Sequence, residues 1–164
     1  MTRAFFPVLN TILFTIAVPG TVTVYVPIRL LGGLARPAAG PLTWLGAIVF
    51  LVGAAIYFRC AWEFAVRGLG TPAPIAPTKV LVVTALHRYV RNPMYIGVFL
   101  VLIAEAALFR SLVLLGYAAF VCVPVELFVL FYEEATLRRQ FGESYEEYRR
   151  TVPRWIPRLR ARRS

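Results

Sequence analysis

Arg88-Tyr89-Val90-Arg91-Asn92-Pro93-Met94-Tyr95-Ile96-Gly97 leads directly into an apolar run that continues to about Phe109. Pro93 suits the first turn of a helix, because its missing N–H costs nothing there. The residues ahead of it include two arginines, a tyrosine and an asparagine. Charged and amide groups at the mouth of a greasy helix are hard to explain by packing alone. They place this stretch at a membrane surface, with Arg91 and Asn92 in a loop, free to face a ligand.

From Pro93 to Phe109 a helix would rise roughly 25 Å, barely a bilayer crossing. Arg110-Ser111 is a tight connection. The next apolar run, about Leu112 to Tyr132, is expected to be interrupted at Pro124. The two runs therefore form a close antiparallel hairpin. Upstream, an apolar run from about Phe5 to Leu31 follows Arg3; Pro7 fits its first turn, and Pro19-Gly20 should kink or break it mid-span. It is too long for a signal-peptide core and reads as a retained transmembrane helix. A second run, about Leu42 to Phe64, carries Gly46 and Gly53, small residues that let helices approach. Arg59, Glu63 and Arg67 fall at i, i+4 and i+8 near its end and suit pairing at the interface.

Composition agrees. The chain has 164 residues, is 59% hydrophobic, and has a mean hydropathy of +0.69. It has too few polar residues to cover a water-exposed globule, so lipid must solvate the excess. The net charge of +10, with no aspartate, suits lipid headgroups and cytoplasmic loops. Basic residues gather between apolar runs without the aromatic interleaving of nucleic-acid binders, so no nucleic-acid partner is expected. The expected fold is an all-α integral membrane protein with about four transmembrane helices, the last two a tight hairpin, plus a cytoplasmic C-terminal amphipathic helix. Residues 1–67 hold the first two helices, 68–157 a core, and 158–164 a basic tail. Within the core, three prolines from Gly68 to Thr78 favour an extended strap.

Past the hairpin, a helix should leave the membrane through Gln140 and stop at Gly142. A further helix is expected to start at Ser144, where Ser144 and Glu147 have capping-box spacing. Tyr145, Tyr148 and Val152 share its inner face, Pro153 ends it, and Trp155 suits an interface. With four crossings, one side of the membrane carries 15 basic residues and the other 3. The positive-inside rule puts both termini, the strap, the opening stretch and Glu133–Trp155 on the cytoplasmic face of the membrane.

Four acids need explaining. Glu105 and Glu126 lie deep within apolar runs, where a carboxylate is costly. Arg91, Tyr95, Val98, Leu102 and Glu105 fall on one helical stripe. That stripe reads either as a polar groove leading down from the surface or as a structural interhelical hydrogen bond. Glu133 and Glu134 lie at the water interface, opposite the opening stretch. Cys60 and Cys122 have no ligand spacing and read as small packing residues. His87, the one histidine, cannot build a metal site alone, and no metal is expected. Phosphate-binding loops, nucleophile elbows and zinc spacings are all absent.

The ordered motifs resemble a known family. Arg88-x-x-Arg91-Asn92-Pro93-x-Tyr95-x-Gly97 is similar to the R-x-x-R-[HN]-P-x-Y-x-G signature of the isoprenylcysteine carboxyl methyltransferases, a family related to phospholipid N-methyltransferases. Glu133-Glu134-x-x-Leu137-x-x-x-Phe141-Gly142-x-x-Tyr145-x-x-Tyr148 resembles a second motif of that family, and Val152-Pro153-x-x-x-Pro157 its closing one. Gly70-Thr71-Pro72-x-Pro74 resembles bacterial members. The resemblance covers about residues 68 to 157. It implies methyl transfer from S-adenosylmethionine to a lipophilic carboxylate, amine or thiol at the cytoplasmic face. Carried over by motif, His87, Tyr89, Asn92, Pro93, Tyr95, Gly97, Glu133 and Glu134 would bind the cofactor. Arg91, Glu133 and Arg154 would act on the substrate. Asn92 stands where eukaryotic members have histidine, and Ala85-Leu86-His87 replaces a Gly-Pro-aromatic turn. Methyl transfer needs positioning and desolvation more than acid–base chemistry, which suits these residues. Two other readings stay open: a nicotinamide-dependent membrane reductase, and a non-catalytic lipid-binding or transport protein.

Overall fold

The computed structural model describes residues 2–37, 39–66, 81, 83 and 85–158. The Pro-rich strap, Arg67 and residues 159–164 lie outside the described residues. Every regular element among the described residues is helical. Helix α1 (Thr2–Ala17) passes through Pro19-Gly20 into a widened π turn at Thr21–Tyr25 and the short α2 (Val26–Leu30). The sequence places Pro7 in a first turn, but α1 begins at Thr2 and runs through it. Helix α3 spans Pro41–Val66, α4 spans Pro93–Leu108 and α5 spans Leu112–Phe128. A second π turn, Val129–Glu133, joins α5 to α6 (Glu134–Phe141), and α7 (Glu143–Thr151) closes the described helices.

Among the described residues, three helical stretches are long and apolar enough to cross a membrane: Val8–Leu30, Pro41–Ala65 and Leu112–Phe141. Their side chains fit that role. Trp44, Leu51, Phe120 and Phe131 are all mostly exposed, as lipid-solvated residues are. Pro93–Leu108 is shorter. It packs most extensively against α3 and then against α5, so it is the central helix of the bundle.

The α3–α4 contact explains two glycines. Gly53 of α3 and Gly97 of α4 lie back to back. A Cβ on Gly97 would meet the Gly53 carbonyl oxygen at 2.8 Å and the Tyr57 nitrogen at 2.9 Å. A Cβ on Gly53 would meet the Gly97 oxygen at 2.8 Å. Gly46 makes a looser contact one to two turns away, with the Ala104 oxygen at 3.1 Å. On the other side of α4, Leu102 packs on Ala118 and Val121 of α5, with Val22, Val98 and Tyr117 around them. This cluster fills the stripe from Tyr95 to Glu105, so no polar groove runs down it. Glu105 is buried below the cluster.

Two boundaries differ from expectation. Helix α5 runs through Pro124 unbroken. A proline removes one hydrogen bond, and the flanking turns still carry the helix; the widening comes five residues later, at Val129. Helix α7 starts at Glu143 with no side-chain cap. Gly142, at φ 54°, reverses the chain there, and its carbonyl accepts from the Tyr145 and Glu146 amides at 3.2 Å each. A left-handed glycine thus does the work expected of Ser144. Tyr145, Tyr148 and Val152 are buried together against Leu137, Phe141, Leu81 and Val83, so α7 rests its apolar face on the protein.

The break in the first apolar stretch leaves an apolar groove of about 670 Å³ between Pro19-Gly20, α3 and α4. Its polar contribution includes the Thr15 and Tyr57 hydroxyls, hydrogen-bonded to each other at 2.9 Å.

Candidate active site

The segment after α7 is strapped along the residues just ahead of α4. The Arg91 amide donates to the Pro153 carbonyl at 2.9 Å, and the Arg158 amide to the Tyr89 carbonyl at 3.1 Å. Tyr148 donates from its hydroxyl to the His87 carbonyl at 2.7 Å. These bonds bring Arg91, at the mouth of α4, beside Arg154, which lies 63 positions later.

Glu134 holds both arginines. Its carboxylate is 3.0 Å from Arg91 Nη1, and it accepts from Arg154 Nε and Nη2 at 2.8 and 3.1 Å. The Glu134 side chain is 6% exposed and that of Arg91 10%. A carboxylate this enclosed would be costly alone, and the two-pronged guanidinium bond offsets the desolvation. Hydrogen bonding to Glu134 raises the Arg154 pKa further above its ordinary value. Arg91 Nη1 also reaches the Tyr145 hydroxyl at 3.4 Å. Burial pushes the Tyr145 phenol up, and the charge of Glu134 adds to it.

Glu133 points elsewhere. It accepts from the Tyr95 hydroxyl at 2.9 Å, and among the described residues no Arg or Lys pairs with it. Neighbouring positions on an α-helix diverge by about 100°, and the π turn ending at Glu133 adds a further rotation. Glu133 therefore faces α4 while Glu134 faces the closing segment. Widened turns of this kind recur at functional sites.

A third acid joins from below. Glu126 lies seven residues before Glu133, about 10 Å deeper along the helix. It accepts from Arg154 Nη1 at 3.2 Å and from the Trp155 indole at 2.7 Å. Trp155 in turn packs near Phe99 (ring centroids 5.8 Å apart) and edge-on to Tyr95 (6.4 Å). Beneath it, Ile96, Phe99, Leu100, Cys122 and Glu126 line a cavity of about 330 Å³ between α4 and α5.

Of the residues singled out in the sequence, Arg91, Tyr95, Glu133, Glu134 and Arg154 meet here. Asn92 caps α4 by position without a side-chain cap, and its amide donates to the Arg154 carbonyl at 3.5 Å. Pro93 and Tyr89 sit one layer away, in a small apolar cavity with Pro157. His87 is buried with its ring edge-on to Phe64 at 5.5 Å. Gly97 is turned toward α3. Glu126, Trp155 and Tyr145 join the network although the sequence assigns them no site role: it marks Glu126 as a deep acid, Trp155 as an interface residue and Tyr145 as part of the inner face of α7. The spacing of Glu126, Glu133 and Glu134 at i, i+7 and i+8 was the available signal for the first.

Residues 41–144 match the family model for phospholipid methyltransferases. The chain is 37% identical over 80 residues to methanethiol S-methyltransferase 2 of Bradyrhizobium diazoefficiens, covering 48% of this chain and 29% of that protein. It is 35% identical over 83 residues to the protein-S-isoprenylcysteine O-methyltransferase of Schizosaccharomyces pombe, covering 48% and 33%. The match therefore spans about a third of the length of these curated relatives. No solved structure matches the chain.

Proposed function

Because the chain belongs to the phospholipid methyltransferase family, we propose that it transfers a methyl group from S-adenosylmethionine to a lipophilic acceptor at the cytoplasmic face of a membrane. The observation that carries this reading is the unequal treatment of two adjacent carboxylates. Glu134 is neutralised by Arg91 and Arg154, whereas Glu133 has a tyrosine hydroxyl and, among the described residues, no cation. Such a carboxylate suits a positively charged ligand.

The site also offers something to a ligand's anionic end. Arg91 Nε is buried without a hydrogen-bond partner. A buried, unsatisfied donor is costly, and a ligand carboxylate would satisfy it. S-adenosylmethionine, with a sulfonium, an ammonium and a carboxylate, fits this donor set, and when bound it supplies an electrophilic methyl group. In this reading Glu133 holds cationic parts of the cofactor, and Tyr95 orients Glu133. Asn92 and the backbone around Pro93 wall the pocket. Trp155 and Phe99 exclude water from the acceptor side, which strengthens every charge interaction inside. In this reading the shorter α4 is a fourth crossing, both termini are cytoplasmic, and the site lies at the cytoplasmic interface, where a lipophile can arrive from the bilayer.

Isothermal titration of the folded, detergent-solubilised protein tests the reading. S-adenosylmethionine is expected to bind, and NADPH is not. Binding of NADPH alone would replace this reading with the reductase. Labelled methyl transfer into a total lipid extract, followed by mass spectrometry, then identifies the acceptor.

A further inference from the structure

The two arginines of the site suit an anionic acceptor by charge, yet neither lines the cavity under Trp155. All three guanidinium nitrogens of Arg154 are taken: Nε and Nη2 by Glu134, and Nη1 by Glu126. Arg91 pairs with the same Glu134 oxygen as Arg154 Nε and does not line the cavity under Trp155. Of the six residues that line this cavity, Glu126 is the charged one. Its side chain is 37% exposed, so its carboxylate is presented to whatever enters. The other walls are Ile96, Phe99, Leu100, Cys122 and the Trp155 ring, a surface for a hydrocarbon chain.

We infer that Glu126 is a specificity-determining residue: it occupies Arg154 and faces the cavity between α4 and α5, closing it to lipophiles with an anionic headgroup and leaving it to neutral or cationic ones. The inference rests on the methyl-transfer reading for its meaning, since the cavity then belongs to the acceptor. Its physical basis is independent of that reading. A second carboxylate in this cavity would sit against Glu126, whose own cation is already shared with Glu134, and like charges side by side are disfavoured. A thiol, hydroxyl or amine headgroup meets no such repulsion, and it finds an acceptor in Glu126 itself. The hydrogen bond to Trp155 holds the carboxylate at this position, so the charge is fixed at the cavity wall.

Binding can be read without turnover. In a Trp44→Phe/Trp62→Phe background, Trp155 is the remaining indole, and both replaced tryptophans are largely exposed on α3. The protein in nanodiscs of zwitterionic lipid is titrated, at about pH 9 so that the acid is ionised, with a dibrominated fatty acid and with the matching dibrominated fatty alcohol. Bromine quenches an indole it touches. The alcohol should quench Trp155 at a concentration about tenfold or more below the acid. In Glu126→Gln the acid should improve about tenfold while the alcohol stays within threefold. The acid-to-alcohol ratio within each protein cancels any loss of folded material, and comparing that ratio between the parent and Glu126→Gln cancels lipid partitioning. Equal quenching by acid and alcohol in the parent, an unchanged ratio in Glu126→Gln, or no quenching by either would each overturn the inference. A normal ratio with no S-adenosylmethionine binding would sink the methyl-transfer reading instead and leave the selectivity of the cavity standing.

Discussion

Glu134 is the residue on which the site turns. It neutralises two guanidinium groups from parts of the chain far apart in sequence. Removing one partner of a buried ion pair leaves the other charges uncompensated, which costs about 3 kcal/mol or more. Glu134→Ala should therefore lower thermal stability by about that amount, read as a shift in the unfolding midpoint. Glu133 behaves differently. Tyr95→Phe removes its hydrogen bond but leaves the arginine network alone. That variant should keep its unfolding midpoint and bind S-adenosylmethionine about tenfold more weakly, the worth of one charge-assisted hydrogen bond. A calorimetric titration beside a melting curve separates the two effects. Arg91, Glu133 and Glu134 could be nominated from their motifs alone. Which of the two adjacent acids holds the arginines could not, because a π turn changes the direction of side chains without leaving a signature in the residues themselves.

At the scale of the element, the decisive contact is between α3 and α4. Gly53→Ala and Gly97→Ala each place a methyl group under 3 Å from partner backbone, and a rigid backbone cannot yield as a side chain does. Each should destabilise the bundle by about 1–3 kcal/mol. Gly46→Ala, with nearest contacts of 3.1 and 3.2 Å, should cost less. Unfolding in detergent by a chemical denaturant ranks them. Helix α7 gives a pH test. The Tyr145 phenol is raised by burial, so the folded state prefers it neutral. Its contribution to stability is fully present below the ordinary phenol value of about 10 and is lost as pH rises through the higher folded value. The docking of α7 should hold to about pH 10 and weaken above it, followed by tyrosinate absorbance and by proteolysis after Arg149 or Arg150. The glycines were visible as small residues, and the three-residue rhythm of Tyr145 and Tyr148 marked the buried face of α7. The start of α7 was misread because Ser144 looked like a cap. The left-handed Gly142 had already done that job.

At the scale of the whole molecule, the proposed four-crossing arrangement puts the site on one side of a membrane. With Cys60 and Cys122 replaced by alanine, a cysteine at exposed Ser144 should react with an impermeant thiol reagent only from the cytoplasmic side. One at exposed Leu34 should react only from the opposite side. Identical labelling of the two positions would contradict the four-crossing arrangement. The sequence by itself determined that the protein is helical with apolar stretches long enough to cross a membrane, because its 59% hydrophobic residues fall in long runs. It also determined where most helices begin and end, and which family the chain resembles, because ordered motifs survive without any fold to display them. Only the tertiary structure decided how the charges are shared. Glu134 meets Arg154 across 20 positions and Glu126 meets Trp155 across 29. Such pairings follow from how the closing segment is strapped over the mouth of α4. Helical periodicity relates residues within a turn or two, whereas these partners are brought together by packing between elements, which no local pattern encodes.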